Sequence, residues 1–196
     1  MMKLLIGEVS EFAIESGISE AFLRLGARAL GYFVLHVGGR EYGVRAPDAT
    51  LLGCSFDEVG RRIAAKGSHQ APFSAVDASE IAQSIRAARY DPNSDDKWML
   101  GMRGAQLDEL VTSRNLLWAP DGDQAFDDGS FVIQMDLGES ARLIAFKSTQ
   151  GYTVDDGSLR DVTIEAKAFD ALLARWYSEF ESQWSTLIAA SRSVPG

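Results

Sequence analysis

The sequence predicts an α+β fold: an antiparallel sheet with helices packed on one face, and a long amphipathic C-terminal helix. Three observations predict it. The first third of the chain reads mostly as strands, with Gly38-Gly39 placed as a tight turn. Two shorter amphipathic helices follow, each opening on a cap-forming side chain with a Glu three positions on. The C-terminal segment then carries one apolar stripe at helical spacing.

Along the chain, Phe12 and Ile14 alternate with polar neighbours, and residues 29–37 are rich in aromatic and branched side chains. Gly38-Gly39 supplies the positive φ angles of a two-residue hairpin turn, so residues 40–44 should pair back. Ser55-Phe56-Asp57-Glu58 has the spacing of a capping box. It predicts a helix in which Phe56, Val59 and Ile63 face the core, Arg61, Arg62 and Lys66 face away, and Gly67 is the stop. Asp77 opens a second helix, with Glu80 three residues on and Ile81 and Ile85 on one face, ended by Asp91-Pro92-Asn93. Residues 98–118 are ambiguous: Leu107, Leu110 and Val111 fit one helical turn or two, and 115–118 fit a short strand. Strands are expected at 131–137 and 142–147, joined by Gly138-Glu139-Ser140, and at 159–166, where Val162 and Ile164 alternate with Thr163 and Glu165. Phe169, Leu172, Leu173, Trp176, Phe180, Trp184, Leu187 and Ile188 form the final stripe, which reads as core packing, with Arg175, Glu179 and Glu181 off it.

A length of 196 residues fits one domain spanning 1–196. A hydrophobic fraction of 46% and a charged fraction of 24% match globular proteins and exclude disorder. Leu4-Leu5-Ile6 is too short for a signal-peptide core, and no run of ~18 apolar residues exists to span a membrane. The one cysteine, Cys54, cannot form an internal disulfide, in agreement with a reducing compartment. These features lead to the expectation of a cytoplasmic protein. The net charge of −9 argues against nucleic-acid and anionic-lipid binding, and makes a basic protein the complementary partner.

Motifs for catalysis fail on inspection. Gly53-Cys54-Ser55-Phe56-Asp57 misses the second glycine of a nucleophile elbow. Gly26 to Gly31 has the glycine spacing of a phosphate loop, but Tyr32-Phe33 follows where Lys and Ser/Thr are needed. Asp121-Gly122-Asp123 begins like a calcium loop, yet Ala125 and Val132 stand where oxygen ligands belong. His36 and His69 are too few and too far apart in sequence for a zinc site. Cys54 reads as a small buried hydrophobe. Neither a metal nor another cofactor is expected.

The charge is unevenly spread. Residues 115–141 hold six acids (Asp121, Asp123, Asp127, Asp128, Asp136 and Glu139) and no base, which is two-thirds of the net charge. Such a segment steers and holds a basic partner. The same composition also suits a solvated turn, because Asp and Gly favour turns for backbone reasons.

At this segment the sequence resembles a known family. Ala125-Phe126-Asp127-Asp128-Gly129-Ser130, Val132-Ile133-Gln134-Met135-Asp136 and Arg142-Leu143-Ile144-Ala145-Phe146-Lys147 are similar to the core signature of the immunity 42 family, antidotes encoded beside toxins in bacterial competition systems. Ile6-Gly7, Glu11-Phe12-Ala13-Ile14, Gly31-Tyr32-Phe33 with Gly38-Gly39, and the Phe169 to Trp184 helix extend the resemblance over most of the chain. It implies a non-enzymatic inhibitor that binds one cognate toxin domain in the cytoplasm; it assigns no functional residue. On this reading the protein occludes the active site or substrate groove of a basic toxin, such as a nuclease. The acids of the Asp121 to Asp128 loop are expected to imitate phosphates, and Trp98 or Trp118 to supply anchoring area. The alternatives are a structural or regulatory subunit of a complex and a small enzyme using Cys54.

Overall fold

The chain has the expected α+β fold with a long C-terminal helix, and among the described residues its strands form two main antiparallel sheets where one was expected. The computed structural model describes residues 1–120, 124–149 and 153–192. In chain order the elements are β1 (Met2–Glu8), β2 (Phe12–Ala21), β3 (Ala29–Val37), β4 (Arg40–Tyr42), β5 (Thr50–Leu51), α1 (Leu52–Ala64), α2 (Ala78–Tyr90), β6 (Trp98–Met99), β7 (Met102–Arg103), α3 (Gly104–Ser113), β8 (Leu117–Ala119), β9 (Ser130–Asp136), β10 (Ser140–Ser148), β11 (Val154–Glu165) and α4 (Ala166–Arg192). The first sheet runs β1-β2-β3-β4, with β5 also paired to β3. The second runs β11-β10-β9-β8, and β6 and β7 form a small hairpin of their own.

The second sheet exists as a middle layer because β9 and β10 are buried on both faces. Val132, Leu143 and Ala145 point into a first core with β1–β4, α1 and α4. Their neighbours Phe131, Ile133, Met135, Ile144 and Phe146 point into a second core under α2 and α3. A half-buried strand alternates apolar with polar; these two do not, so both faces need cover. Helices therefore lie on both sides of this sheet. Arg142, on the second face, clamps the entry to α2 by donating to the carbonyls of Ser74 (2.6 Å) and Val76 (2.9 Å) while pairing with Asp161.

Local signals located some elements well. Gly38 and Gly39 take φ of 56° and 79° in the β3–β4 turn. The Asp77 carboxylate caps α2, accepting from the amides of Ser79 and Glu80. The expected capping box at Ser55 is absent. Helix α1 begins at Leu52, without a side-chain cap, and Ser55 is a buried residue inside it. Tertiary partners override the local motif: the Gly53 amide donates to the Ala27 carbonyl, and Glu58 binds Arg61 and Arg62 instead of closing a box. The shift also turns Cys54 outward, so it is exposed where burial was expected. Strand β11 begins five residues before the expected start at 159.

Helix α4 is the keystone of the first core. Phe169, Leu173, Trp176, Phe180 and Ile188 are buried, with Leu172, Trp184 and Leu187 partly so. Trp176 meets Phe33, Phe56 and Phe180 at ring-centroid distances of 5.2, 6.5 and 5.1 Å, and its indole N–H reaches Ser16 Oγ at 3.2 Å.

The outer face of the first sheet holds a compact polar group. The Glu15 carboxylate accepts from the Tyr32 hydroxyl (2.8 Å), meets His36 Nε2 (3.1 Å) and pairs with Arg45, which also pairs with Glu41. Burial works to raise the Glu15 pKa, but hydrogen bonds from Arg45, Tyr32 and His36 outweigh it and bring the value down to about 2. Burial and the Glu15 charge push Tyr32 up to about 12. Because the folded value of Glu15 lies below its ordinary 4.5, its contribution is present above that pH and is lost as pH falls toward about 2. Glu15→Gln is therefore expected to cost ~1–3 kcal/mol at neutral pH. In denaturant melts of both proteins, that gap should close through the acid window; a gap unchanged at pH ~3 would contradict the assignment.

Candidate functional site

The acidic segment is built on one strand. Helix α3 delivers the chain to β8, a short 3-10 turn at Gln124–Phe126 precedes Asp127, and β9 then crosses the middle sheet to Asp136. Asp127 and Asp128 stand at its entrance, and Asp136 and Glu139 at its far end. Six residue steps of extended chain separate the two pairs by roughly 20 Å. The four described acids thus form two separate sites rather than one patch. Asp121 and Asp123 lie outside the described residues.

The four also differ in what they do. Asp127 and Glu139 are exposed. Asp128 is partly buried; its carboxylate accepts from the Ser130 amide (3.1 Å) and from Lys147 Nζ (2.5 Å). Burial raises its pKa, and these donors reverse that to leave a net lowering. Asp136 accepts from the His69 amide (3.1 Å), His69 Nδ1 (3.0 Å) and Gln134 Nε2 (3.2 Å). The same balance, burial against donors, holds it below the ordinary carboxylate range. Both carboxylates fasten the hairpin, and both are already engaged within the chain.

A buried polar chain under β8 and β9 holds the segment in place, and the sequence pattern missed it. Arg62 was expected to face solvent; its side chain is fully buried. It donates to Gln134 Oε1 (2.9 Å) and the Leu117 carbonyl (3.1 Å), pairs with Glu58 Oε1 (2.8 Å) and lies 4.6 Å from the Trp118 ring centroid. Glu58 in turn accepts from Asn115 Nδ2 at 3.2 Å. From Asn115 through Glu58, Arg62 and Gln134 to Asp136, charge and hydrogen bonding run from one end of the segment to the other. The i,i+4 spacing of Glu58 and Arg62 was the one visible hint.

Two depressions flank Pro120, next to the acidic turn. A cleft of about 640 Å³ between α1 and α3 is bordered by Glu58, Arg61, Arg89 and Asn115. A smaller one of about 240 Å³ is bordered by Tyr90, Phe126, Asp127 and Phe131, with Arg86 at its side. Tyr90 is 45% exposed and packs edge-on against Phe131, so an aromatic ring stands beside the exposed Asp127. Of the two expected anchors, Trp118 is buried in the core, whereas Trp98 is 73% exposed.

No group of three or more His, Cys, Asp or Glu side chains among the described residues is arranged to hold a metal. His36 and His69 are engaged by Glu15 and Asp136. Among the described residues no helix is long and apolar enough to cross a membrane.

Comparison with known proteins identifies the family. A solved structure, described as CdiI from Burkholderia dolosa AUO158, superposes with a TM-score of 0.58 at 16% identity, covering 90% of this chain and 99% of that one. That likeness concerns the fold. No curated protein matches by sequence. The family model described as immunity protein 42 matches residues 1–179. On that match the chain belongs to the immunity protein 42 family, and it is an immunity protein rather than an enzyme.

Proposed function

We propose that the chain neutralises one cognate toxin domain in the cytoplasm by binding over its active site or substrate groove. The observation that carries this reading is the exposed carboxylate of Asp127, set beside Tyr90 and the two depressions at Pro120 on a rigidly braced strand entrance. Arg61 and Arg89 on this face are paired with Glu58 and Asp108, so the exposed Asp127 beside Tyr90 offers its carboxylate to a basic protein, and a nuclease groove is basic because it holds phosphates. Glu139 offers a second acidic contact at the other end of β9. Asp128 and Asp136 support this surface from within, through Lys147 and His69. Asp121 and Asp123 complete the proposed acidic set by sequence. The single cysteine agrees with the reducing interior of the cell.

The test is charge reversal at the two exposed positions. Asp127→Lys with Glu139→Lys should leave the fold intact, slow association with the toxin domain about tenfold or more at low salt, and flatten the salt dependence of that rate. Unchanged rate and affinity in a folded variant would remove the acidic segment from the contact surface.

A further inference from the structure

We infer that the β6–β7 hairpin is a preformed anchor, and that Trp98 inserts into the toxin interface against a cationic side chain. This rests on the toxin-binding reading above. Isolated exposed apolar residues are ordinary on protein surfaces. Trp98 differs from them in three ways. Among the described residues it is the most exposed of the large hydrophobic side chains, at 73%. It sits on a hairpin whose shape is fixed from both sides. Its charged surroundings favour a basic partner.

The fixing is visible in the backbone. Leu100 and Gly101 take φ of 50° and 80°, the pattern of a two-residue turn that a Leu rarely adopts. Met99 and Met102, paired across the turn, pack onto the second core, so Trp98 and Arg103, the other pair, face outward. The Gly104 amide donates to the Lys97 carbonyl (2.9 Å) and the Ala105 amide to that of Asp95 (3.2 Å), tying the hairpin to the start of α3. A Cβ at Gly104 would lie 2.1 Å from the Ser94 carbonyl oxygen, so only glycine permits this approach. A rigidly presented tryptophan loses little conformational entropy on binding and is the residue type most often found to dominate an interface.

The charge defines the partner. Residues 91–109 carry five carboxylates and two cations. Lys97 is held by Asp91 at 2.7 Å, Arg103 by Asp96 at 2.7 Å, and Asp108 is paired with Arg89 at 2.9 Å. Asp95 and Glu109 are exposed and stand outside these pairs, so the stretch that carries the indole and Arg103 is net acidic, which fits a partner's Arg or Lys stacked on the ring. The Asp91–Lys97 bridge also folds the hairpin back to the end of α2, where Tyr90 borders the Asp127 depression.

The experiment uses the full chain and the toxin domain encoded beside its gene. Trp98→Ala should weaken binding by about 30-fold or more, with an unchanged unfolding midpoint. Tryptophan emission of the wild type should shift to the blue on complex formation, as the exposed indole leaves water, and this shift should be missing in Trp98→Phe. Binding unaffected by Trp98→Ala, or an emission shift that persists in Trp98→Phe, would overturn the anchor and leave the toxin-binding reading standing. Self-association of the wild type that Trp98→Ala abolishes while toxin binding is unchanged would also overturn it, by assigning the indole to a second copy of the chain. Failure of the wild type to bind the toxin at all would overturn both.

Discussion

Replacing Trp176 with Ala is expected to destabilise the protein by ~3–5 kcal/mol, because a large buried side chain leaves a cavity that relaxes only in part. Trp176 is completely buried, and it joins the first sheet through Phe33, α1 through Phe56, and its own helix through Phe180. Its loss also strips the buried Ser16 hydroxyl of an indole donor. Denaturant melts at constant slope measure the effect. A change below ~1 kcal/mol would mean that α4 presents this face to something other than the core.

Arg62→Ala should cost a similar ~3–5 kcal/mol, by a different mechanism. It removes the cation from a buried pair and leaves the Glu58 carboxylate, itself 4% exposed, with only Arg61 and Asn115. The Leu117 carbonyl and Gln134 lose a donor in the same step. Pairing Arg62→Met with Glu58→Gln should recover much of the loss, since a neutral isostere removes the uncompensated charge. If Arg62→Ala alone proves harmless, the polar chain beneath β8 and β9 does not brace the acidic segment.

What the sequence made legible follows from how local each cause is. The Asp77 cap and the Gly38-Gly39 turn were found because the partners lie within three residues or in the backbone itself. The α4 stripe was found because one helix periodicity governs eight side chains. The false capping box at Ser55 had the right spacing, but Glu58 is claimed by Arg62, whose other partners come from residues 117 and 134. A residue 55 positions away in sequence leaves no mark on a local window. The same holds for the number of sheets: strands apolar on both faces announce burial without saying what covers each side.

The candidate site was legible as charge and illegible as geometry. Composition located the acid-rich segment, yet it treated six side chains as one patch. An extended strand separates the described acids into two pairs, and each pair assigns one carboxylate to fastening the hairpin and leaves one exposed. Tyr90 carries no sequence signal linking it to Asp127, because they meet only through the depression they share and the contact of the Tyr90 ring with Phe131. Of the two tryptophans Trp98 and Trp118, Trp98 is exposed and Trp118 is buried, a difference no local sequence pattern carries.

Direct occlusion of the toxin, as proposed, makes binding compete with the toxin's substrate. The most direct measurement is the steady-state activity of the toxin domain encoded beside this gene, titrated with purified protein at several substrate concentrations. A one-to-one complex that abolishes activity, and whose apparent affinity weakens in proportion to added substrate, is the expected result. A complex that forms with the same affinity at every substrate concentration, or a fully active toxin inside a stable complex, would contradict occlusion and place the protective contact away from the active site.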